Sequence, residues 1–235
     1  MKIYFFEEFP SVKSLSKLKF ISWQSKLFLA SKSYQEFNKW KIQFSQNNIE
    51  FVYWPILNIK NGYYLSPFVP TKVLKQQLKE YSRLNSVMWD AEFPKNRLLL
   101  FNPQFFRNKS LIKKFFKDYS KKVYTSEYFY SNKFLKFLGL NFQRYENKII
   151  KMMYSSLHSS LKEVKHKEIK NLDKDRLIIG LGCIATGILG NEPIISPENL
   201  QEDLEFCKNN NIKEVVISRL DGLNESFLKI IKKYT

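Results

Sequence analysis

Short runs rich in β-branched and aromatic residues alternate with longer stretches of helical periodicity along all 235 residues of the chain. Eight of these runs are predicted to be strands: 2–9, 26–32, 49–57, 86–93, 122–129, 148–156, 176–185 and 214–222. Strands that alternate with helices predict a parallel sheet, because each helix returns the chain to the edge at which strands begin. Eight such units, the last ending in a helix, predict one α/β domain over residues 1–235, a closed (β/α)8 or TIM barrel.

An open α/β sheet, with one or two strands wrongly assigned, is the alternative architecture. Open nucleotide-binding sheets usually carry a glycine-rich phosphate loop after the first strand. The segment 10–25 that follows the first predicted strand contains no glycine. The sequence therefore favours the closed barrel.

Helical periodicity is found between most of the predicted strands. The predicted helices cover 33–46, 71–84, 110–122, 132–140, 196–210 and 224–234, and the lysine-rich stretch 162–170 has the same pattern. Ser33 and Ser196 are suited to cap their helices, because a serine hydroxyl accepts a hydrogen bond from an N–H of the first turn. Glu36 stands at the capping-box offset from Ser33, and Pro197 stands at the first helical position.

Two connections are longer than is usual in a compact domain: 58–70 after the third strand and 92–109 after the fourth. Both follow the carboxyl ends of their strands, which form the active-site face of a barrel. Loops on this face carry function more often than the scaffold does. We therefore expect them to cover a ligand site.

Apolar residues make up 44% of the chain and aromatic residues 16%, which excludes a disordered protein. The formal net charge of +17 is compatible with an anionic partner: nucleic acid, a phosphorylated ligand or an anionic membrane surface. However, the lysines are spread over the predicted helices, which is typical of solvated helix faces. Nucleic acid is therefore a possible partner but is not favoured over a small, anionic ligand.

No segment approaches the roughly 18 apolar residues of a membrane span, so no membrane partner is expected. The N-terminal MKIYFFEEFP lacks the length and flanks of a secretory signal. Cys183 is expected in the core, and Cys207 is expected to pack or to be half exposed; the two provide no disulfide framework and no CxxC metal spacing. A reducing cytoplasm is the expected location.

Polar side chains follow most of the predicted strands and would converge on one mouth of a barrel. These residues are Glu7, Glu8, Ser31, Lys32, Tyr53, Trp54, Asp90, Glu92, Glu127, Tyr154, Ser155, Ser156, Thr186, Arg219 and Asp221. Carboxylates are frequent among them, and they cannot all ionise close together without shifted pKa values. The predicted substrate-binding residues are Glu8, Tyr53, Trp54, Glu127, Arg219 and Asp221.

Asp90 and Glu92 are the sharpest candidates for chemistry. They lie two residues apart at the end of the fourth predicted strand, so both project to the same side, while Trp89 and Ala91 face the helices. One carboxylate can then hold a negative charge and raise the pKa of its neighbour, which produces a general acid near neutral pH. The alternative is that one of them caps a loop and the other pairs with a lysine.

The segment WDAEFP at 89–94 resembles the end of the D-x-x-D-x-D-x-E signature of family-18 glycoside hydrolases, the chitinases and endo-β-N-acetylglucosaminidases. Three further segments resemble strands six, seven and eight of that family in the same order: KMMYSS at 151–156, RLIIGLG at 176–182 and VVISRLDG at 215–222. The resemblance extends over most of the chain, but only short segments carry it. It implies a TIM barrel that hydrolyses a glycan containing N-acetylhexosamine, or a related glycan, without a cofactor.

The resemblance also implies roles for three residues in a substrate-assisted, retaining hydrolysis. Glu92 would protonate the glycosidic oxygen while the acetamide oxygen of the substrate attacks the anomeric carbon. Asp90 would orient that acetamide, and Tyr154 would form a hydrogen bond with it. Glu92, Asp90 and Tyr154 are thus the predicted catalytic residues.

The chain departs from the family pattern at four positions. Asn85 and Met88 stand where the signature has its first two aspartates, Ser155 replaces the aspartate after Tyr154, and Ser218 replaces the tryptophan that floors the sugar site. We expect the missing carboxylate at Met88 to alter the charge and orientation of Asp90. The missing floor should weaken sugar stacking unless Trp54 or Trp89 compensates, although Trp89 is predicted to face outward. Whether the barrel is an enzyme or a non-catalytic relative is left open.

Two other functions remain as alternatives. Thr186, Gly187 and Gly222 lie where many barrels bind phosphate through backbone N–H groups, which would suit a sugar-phosphate enzyme, although tight loops alone also require glycine. The second is a basic binding protein on a degenerate barrel. His158 could act as a base, but it and His166 have no partner ligands in the sequence, so no metal site is expected.

Overall fold

The computed structural model describes residues 1–129, 133–156, 169, 172–188 and 190–235. Eight parallel strands form a closed barrel in chain order, with the last strand paired to the first. The strands are β1 (Lys2–Glu7), β2 (Ser25–Ser31), β3 (Ile49–Pro55), β4 (Ser86–Asp90), β5 (Lys122–Tyr128), β6 (Lys148–Met152), β7 (Leu177–Leu181) and β8 (Glu214–Ser218). The predicted (β/α)8 barrel is confirmed, and each strand ends one to four residues before its predicted end.

Seven α-helices lie within the described ranges: α1 (Val12–Leu15), α2 (Tyr34–Phe44), α3 (Thr71–Tyr81), α4 (Phe105–Asp118), α5 (Lys133–Leu138), α6 (Pro197–Asn209) and α7 (Glu225–Ile231). Ser33 and Ser196 cap α2 and α6 as predicted. The Glu36 carboxylate accepts a hydrogen bond from the Lys32 N–H at 2.8 Å instead of completing a capping box with Ser33. The predicted helix 162–170 lies outside the described residues, apart from Ile169.

Helix α4 begins five residues before the predicted position 110. Its buried stripe already starts with Phe105 and Asn108 and continues through Ile112 and Phe116 at helical spacing. The Asn108 side chain donates hydrogen bonds to the carbonyls of residues 67 and 69, which ties the start of α4 to the loop after β3.

The alternation of side chains along the strands separates two apolar cores. Inward-facing residues fill the barrel, with Tyr4, Phe6, Phe28, Val52, Tyr124, Ile150, Ile178 and Val216 among them. Outward-facing residues such as Phe5, Leu29 and Trp89 pack against the helices. The parity of a residue within its strand therefore decides whether its side chain reaches the barrel interior or the helix layer.

Candidate active site

A cavity of about 490 Å³ opens at the carboxyl ends of the strands. Within the described part of the chain, its charged lining consists of four carboxylic acids and one lysine: Glu8, Asp90, Glu92, Glu192 and Lys95. A mouth rich in acids thus stands in a protein whose net charge is +17. Acids in such surroundings are typical of sites that move protons.

Asp90 and Glu92 both line this cavity, while Trp89 and Ala91 lie in the outer core, as the alternation predicted. Asp90 is buried, and its Oδ1 has no hydrogen-bond partner among the described residues. Glu92 is only partly buried and follows the strand end. The pair therefore presents one deeply placed carboxyl and one closer to the opening.

The two carboxyls have raised pKa values. Burial, strengthened by the charges of Glu92 and Glu8, raises the pKa of Asp90 well above its ordinary value. Burial also raises the pKa of Glu92, to about 7, although the positive charge of Lys95 opposes the change. The site therefore holds a proton near neutral pH, and Glu92 can donate it.

Glu8 follows β1 directly and supplies a third carboxyl beside Asp90 and Glu92. The Tyr63 hydroxyl donates a hydrogen bond to its Oε1 at 2.9 Å. Burial raises the pKa of Glu8, and the hydrogen bond from Tyr63 lowers it in part. Glu8, a predicted substrate-binding residue, is therefore placed in the cavity, where its charge also acts on both neighbouring acids.

Sequence reasoning missed Lys95, Tyr64 and Glu192, all of which line the cavity. The Lys95 Nζ lies 5.5 Å from the centroid of the Tyr64 ring, and the Lys95 N–H donates to the Gly62 carbonyl at 3.0 Å. These contacts join the loops after β3 and β4 over the mouth. Lys95 and Tyr64 could have been found from the sequence, because they lie in the two long connections on the active-site face.

Tyr154 and Trp54 also line the cavity, as predicted for a catalytic and a substrate-binding residue. Burial raises the pKa of Tyr154 well above its ordinary value, so its hydroxyl keeps its proton and can donate a hydrogen bond. The Trp54 ring packs 5.5 Å from the Phe6 ring, centroid to centroid. It presents an aromatic surface in a cavity where Ser218 offers none.

The positions that depart from the family pattern have different surroundings. Met88 lines the cavity, so an apolar side chain stands where the resemblance expects a carboxylate. Ser155 is engaged elsewhere, because its hydroxyl donates to the Asp203 carboxylate on α6. Cys183, expected in the core, is buried but forms part of the cavity wall, whereas Cys207 is fully buried.

Tyr53 and Glu127, both predicted to bind substrate, do not line the cavity. Tyr53 is the neighbour of Trp54 on β3, so the two face opposite sides of the sheet. The Tyr53 hydroxyl lies 3.4 Å from the Glu80 carboxylate in the helix layer. Glu127 faces the same layer from β5, where the Lys151 Nζ donates to its Oε2 at 3.0 Å.

The Glu127–Lys151 pair is closed off from solvent, with side chains exposed by only 1% and 0%. The Phe142 N–H donates to Glu127 at 2.8 Å and the Asn141 side chain donates at 3.1 Å. Lys151 also donates to the Tyr128 carbonyl at 3.1 Å. This network ties β5 and β6 to the chain that follows α5 and leaves Glu127 no role toward a ligand in the cavity.

Arg219 and Asp221, which were also predicted to bind substrate, are likewise outside the cavity lining. The Arg219 Nε lies 3.4 Å from Glu7, and the guanidinium donates to the Thr186 carbonyl. Asp221 forms ion pairs with Arg219 at 3.3 Å and with Lys17 at 3.8 Å. Glu7 accepts a hydrogen bond from the Asp221 N–H at 2.8 Å, and burial raises its pKa to about 7.

The glycines of the expected phosphate region have structural explanations. The Gly187 N–H donates to the Glu192 carboxylate at 3.0 Å, so an acid occupies the donor that a phosphate would need. A Cβ atom on Gly222 would lie 1.7 Å from the Ile184 carbonyl oxygen, so only glycine allows the two loops to approach this closely. These contacts disfavour a phosphate site here.

The remaining predicted mouth residues, Ser31, Lys32, Ser156 and Thr186, are not among the lining residues. His158 and His166 lie outside the described ranges. Within those ranges no group of three or more His, Cys, Asp and Glu side chains could hold a metal ion. No described helix has the length and apolar character required to cross a membrane.

The sequence matches no protein-family model and no curated protein. Solved structures of similar fold include a plant class V chitinase from Cycas revoluta in complex with (GlcNAc)3, with a TM-score of 0.62 and 10% identity over 100% of this chain and 99% of that one. The spore cortex-lytic enzyme SleL from Bacillus cereus matches with a TM-score of 0.65 and 9% identity, over 99% of this chain and 74% of that one. A xylose isomerase domain containing protein from Salmonella typhimurium matches with a TM-score of 0.56 and 14% identity, over 99% and 95%.

A family-18 N-acetylglucosaminidase from Paenibacillus barengoltzii is also similar in structure, with a TM-score of 0.59 and 9% identity over 100% of this chain and 99% of that one. The chain therefore has the (β/α)8 fold that family-18 glycoside hydrolases share, and the resemblance noted in the sequence is confirmed at the level of the fold. At this identity the similarity shows the fold alone, and the chemistry depends on the residues of the cavity.

Proposed function

We propose that the protein is a glycoside hydrolase that cleaves a glycan containing N-acetylhexosamine, or a related glycan. The observation that carries the proposal is the placement of Asp90 and Glu92 side by side in a partly enclosed cavity, with Glu92 at a pKa of about 7. Tyr154 faces the same cavity as a neutral hydrogen-bond donor. These are the three groups that substrate-assisted hydrolysis requires.

Each group has one task in the proposed reaction. Glu92 gives its proton to the glycosidic oxygen as the bond from that oxygen to the anomeric carbon breaks. The acetamide oxygen of the substrate forms the new bond to the anomeric carbon, which makes a cyclic oxazolinium ion that keeps the N–H proton, while Asp90 and Tyr154 hold the acetamide. The Glu92 carboxylate then takes a proton from the water that opens the ring, so the enzyme ends in its initial protonation state and the configuration is retained.

The cavity compensates in part for the departures from the family pattern. Glu8, which follows β1, contributes an additional carboxyl beside Asp90 that Met88 cannot supply. Trp54 offers a ring on which a sugar can stack in place of the residue at Ser218. Both supports come from strands other than those on which the family signature lies.

A non-catalytic carbohydrate-binding barrel is the second candidate. It is favoured by the apolar Met88 in the cavity and by the hydrogen bond that engages Ser155 with Asp203. Such a protein would bind the same oligosaccharides without turning them over. Affinity and turnover therefore have to be measured on the same preparation.

The decisive experiment compares chitooligosaccharides with their de-N-acetylated counterparts, with reducing ends as the measure of cleavage. We expect cleavage of the acetylated chains alone, because the acetamide oxygen is the nucleophile. Glu92→Gln should reduce the rate by about 10²–10⁴-fold, whereas the control Asp221→Asn, a carboxylate outside the cavity, should retain it. Binding without cleavage by the unmodified protein would establish the non-catalytic candidate, and equal cleavage of both substrates would exclude the substrate-assisted route.

A further inference from the structure

One flank of the barrel exposes large apolar side chains on the 3₁₀ segment Arg97–Phe101 and on helices α4 and α5. We define the phenylalanine flank as Leu98, Phe101, Phe106, Phe134 and Phe137, all of them exposed. Phe101 is 84% exposed and Leu98 78% exposed. Exposed apolar residues grouped in this way mark interaction surfaces more often than scattered ones do.

The members of the flank share one surface because their elements share one interior. Leu99, Phe105 and Leu135, the inward-facing residues of the same three elements, pack in a single apolar cluster. On the outer side, the ring centroids of Phe106 and Phe137 lie 6.4 Å apart. The flank is therefore a continuation of packed structure and not a set of unrelated side chains.

The same flank is strongly basic. Residues 93–117 contain seven Lys or Arg and no Asp or Glu, and residues 128–145 contain three Lys or Arg and no Asp or Glu. Burial, together with the positive charges of Arg144 and Lys113, lowers the pKa of Lys109, so like charges lie close together here. The sequence indicated that the lysines are spread over solvated helix faces. A large share of the net charge is instead concentrated around these exposed apolar residues.

A second cavity, of about 380 Å³, lies on this side of the barrel and is lined by Lys136, Asn141, Gln143 and Arg144. The Gln143 Nε2 is buried and has no hydrogen-bond partner among the described residues. Glu127, the carboxylate that the Asn141 side chain contacts, is already paired with Lys151. Two cations and the Gln143 amide converging on one pocket suit the oxygens of a phosphate group.

We propose that the phenylalanine flank docks on the surface of an anionic phospholipid bilayer. The apolar side chains enter the boundary of the acyl chains, and a headgroup phosphate binds between Lys136 and Arg144. Bulky apolar residues rimmed by Lys and Arg are the composition of interfacial membrane-binding surfaces. An exposed leucine such as Leu98 gains by burial among acyl chains, whereas bases of single-stranded nucleic acid stack on rings.

This contact needs no membrane span. The expectation of no membrane partner depended on the lack of an apolar segment of sufficient length, and the described helices also contain none. Tyr128 packs against the inner cluster of the flank and also lines the active-site cavity. Docking therefore brings the mouth of the barrel close to the bilayer.

The test is flotation of the full chain with vesicles of phosphatidylcholine alone and with vesicles that also contain phosphatidylglycerol. We expect binding to the second kind only. The double variants Leu98→Ser with Phe101→Ser, and Lys136→Gln with Arg144→Gln, should each weaken partitioning by about tenfold or more. The matched control is Ile42→Ser with Lys41→Gln on α2, where Ile42 is 71% exposed, and it should bind as the unmodified protein does.

All substituted side chains are exposed, so circular dichroism melting curves should coincide. Absence of binding to the anionic vesicles, or equal binding by all variants, would overturn the proposal. Binding of a single-stranded oligonucleotide that the same variants lose, without vesicle binding, would overturn it in favour of nucleic acid. Because the readout is independent of hydrolysis, its failure leaves the proposed glycosidase activity untouched.

Discussion

The inward-facing and outward-facing acids of the barrel differ in their partners. Glu7 and Glu127 face the helix layer, and each is paired with a buried cation, Arg219 or Lys151. Asp90 faces the cavity, is buried and has one oxygen without a hydrogen-bond partner among the described residues. In sequence all three occupy equivalent places, at or near the end of a barrel strand.

The two kinds of acid therefore have different roles: the outward-facing acids stabilise the structure, and the inward-facing acid is placed for chemistry. A buried acid with a matched cation and several donors holds elements together. A buried acid beside other acids retains a proton and can exchange it with a ligand. Acidic residues at the strand ends therefore have two roles in this barrel. The role depends on whether the side chain faces the helix layer or the cavity.

The largest effect is expected from breaking the outward pair. Lys151→Met leaves the Glu127 carboxyl buried without its cation, and such a change typically costs about 3–5 kcal/mol of unfolding free energy. Chemical denaturation measures it. Lys213→Met, which breaks the fully exposed ion pair with Asp175, is the control and should leave the unfolding midpoint unchanged. Equal midpoints for the two variants would contradict the structural role of Glu127 and Lys151.

The inward acid should show the opposite response. Asp90→Asn removes no cation partner, so the unfolding free energy should change little. The rate of glycan cleavage should fall by about 10²–10³-fold, as it does when one group that stabilises developing charge is removed. Loss of stability without loss of rate would place Asp90 with the structural acids.

The pH dependence should distinguish Glu7 from Glu92, although both have a pKa of about 7 against an ordinary value of 4.5. Each binds its proton more tightly in the folded chain, so its stabilising contribution is present below pH 4.5 and is lost as the pH rises through 7. Activity should fall over the same upper range, because Glu92 must be protonated. Glu7→Gln should flatten the stability profile and leave the pH–rate profile of cleavage in place; a shifted rate profile would contradict the outward assignment.

The smallest effect is expected at Asp221. Its side chain is 34% exposed and its ion pairs with Lys17 and Arg219 are long, so Asp221→Asn should cost about 1 kcal/mol or less. The Michaelis constant for any cleaved oligosaccharide should be unchanged, since the residue is outside the cavity lining. A raised Michaelis constant would restore the sequence-based prediction that Asp221 binds substrate.

Much of the fold could be predicted from the sequence, because the barrel depends on local patterns. The strands, the caps at Ser33 and Ser196, and the inward direction of Asp90 and Glu92 all follow from periodicity and side-chain chemistry. The site was predicted less well. Tyr53 and Trp54 are neighbours, and periodicity alone does not state which of two aromatic residues faces inward when both sides of a strand are apolar.

Other parts of the site depend on tertiary contacts that no local pattern contains. Lys95 reaches the mouth because its loop is held by Gly62, and Glu192 reaches it through the Gly187 N–H. The pairing of Glu127 with Lys151 requires the register of β5 on β6, which the sequence does not display. The resemblance to family-18 hydrolases correctly indicated the fold because that information is distributed over many residues.

Met88 bears on what can be built on this barrel. The residue lines the cavity from β4, which pairs with β5 from Ser86 to Asp90, so a carboxylate at this position would face the cavity from a strand that is already in place. Directed evolution from this chain could therefore explore carboxylates at residue 88 without first rebuilding a scaffold.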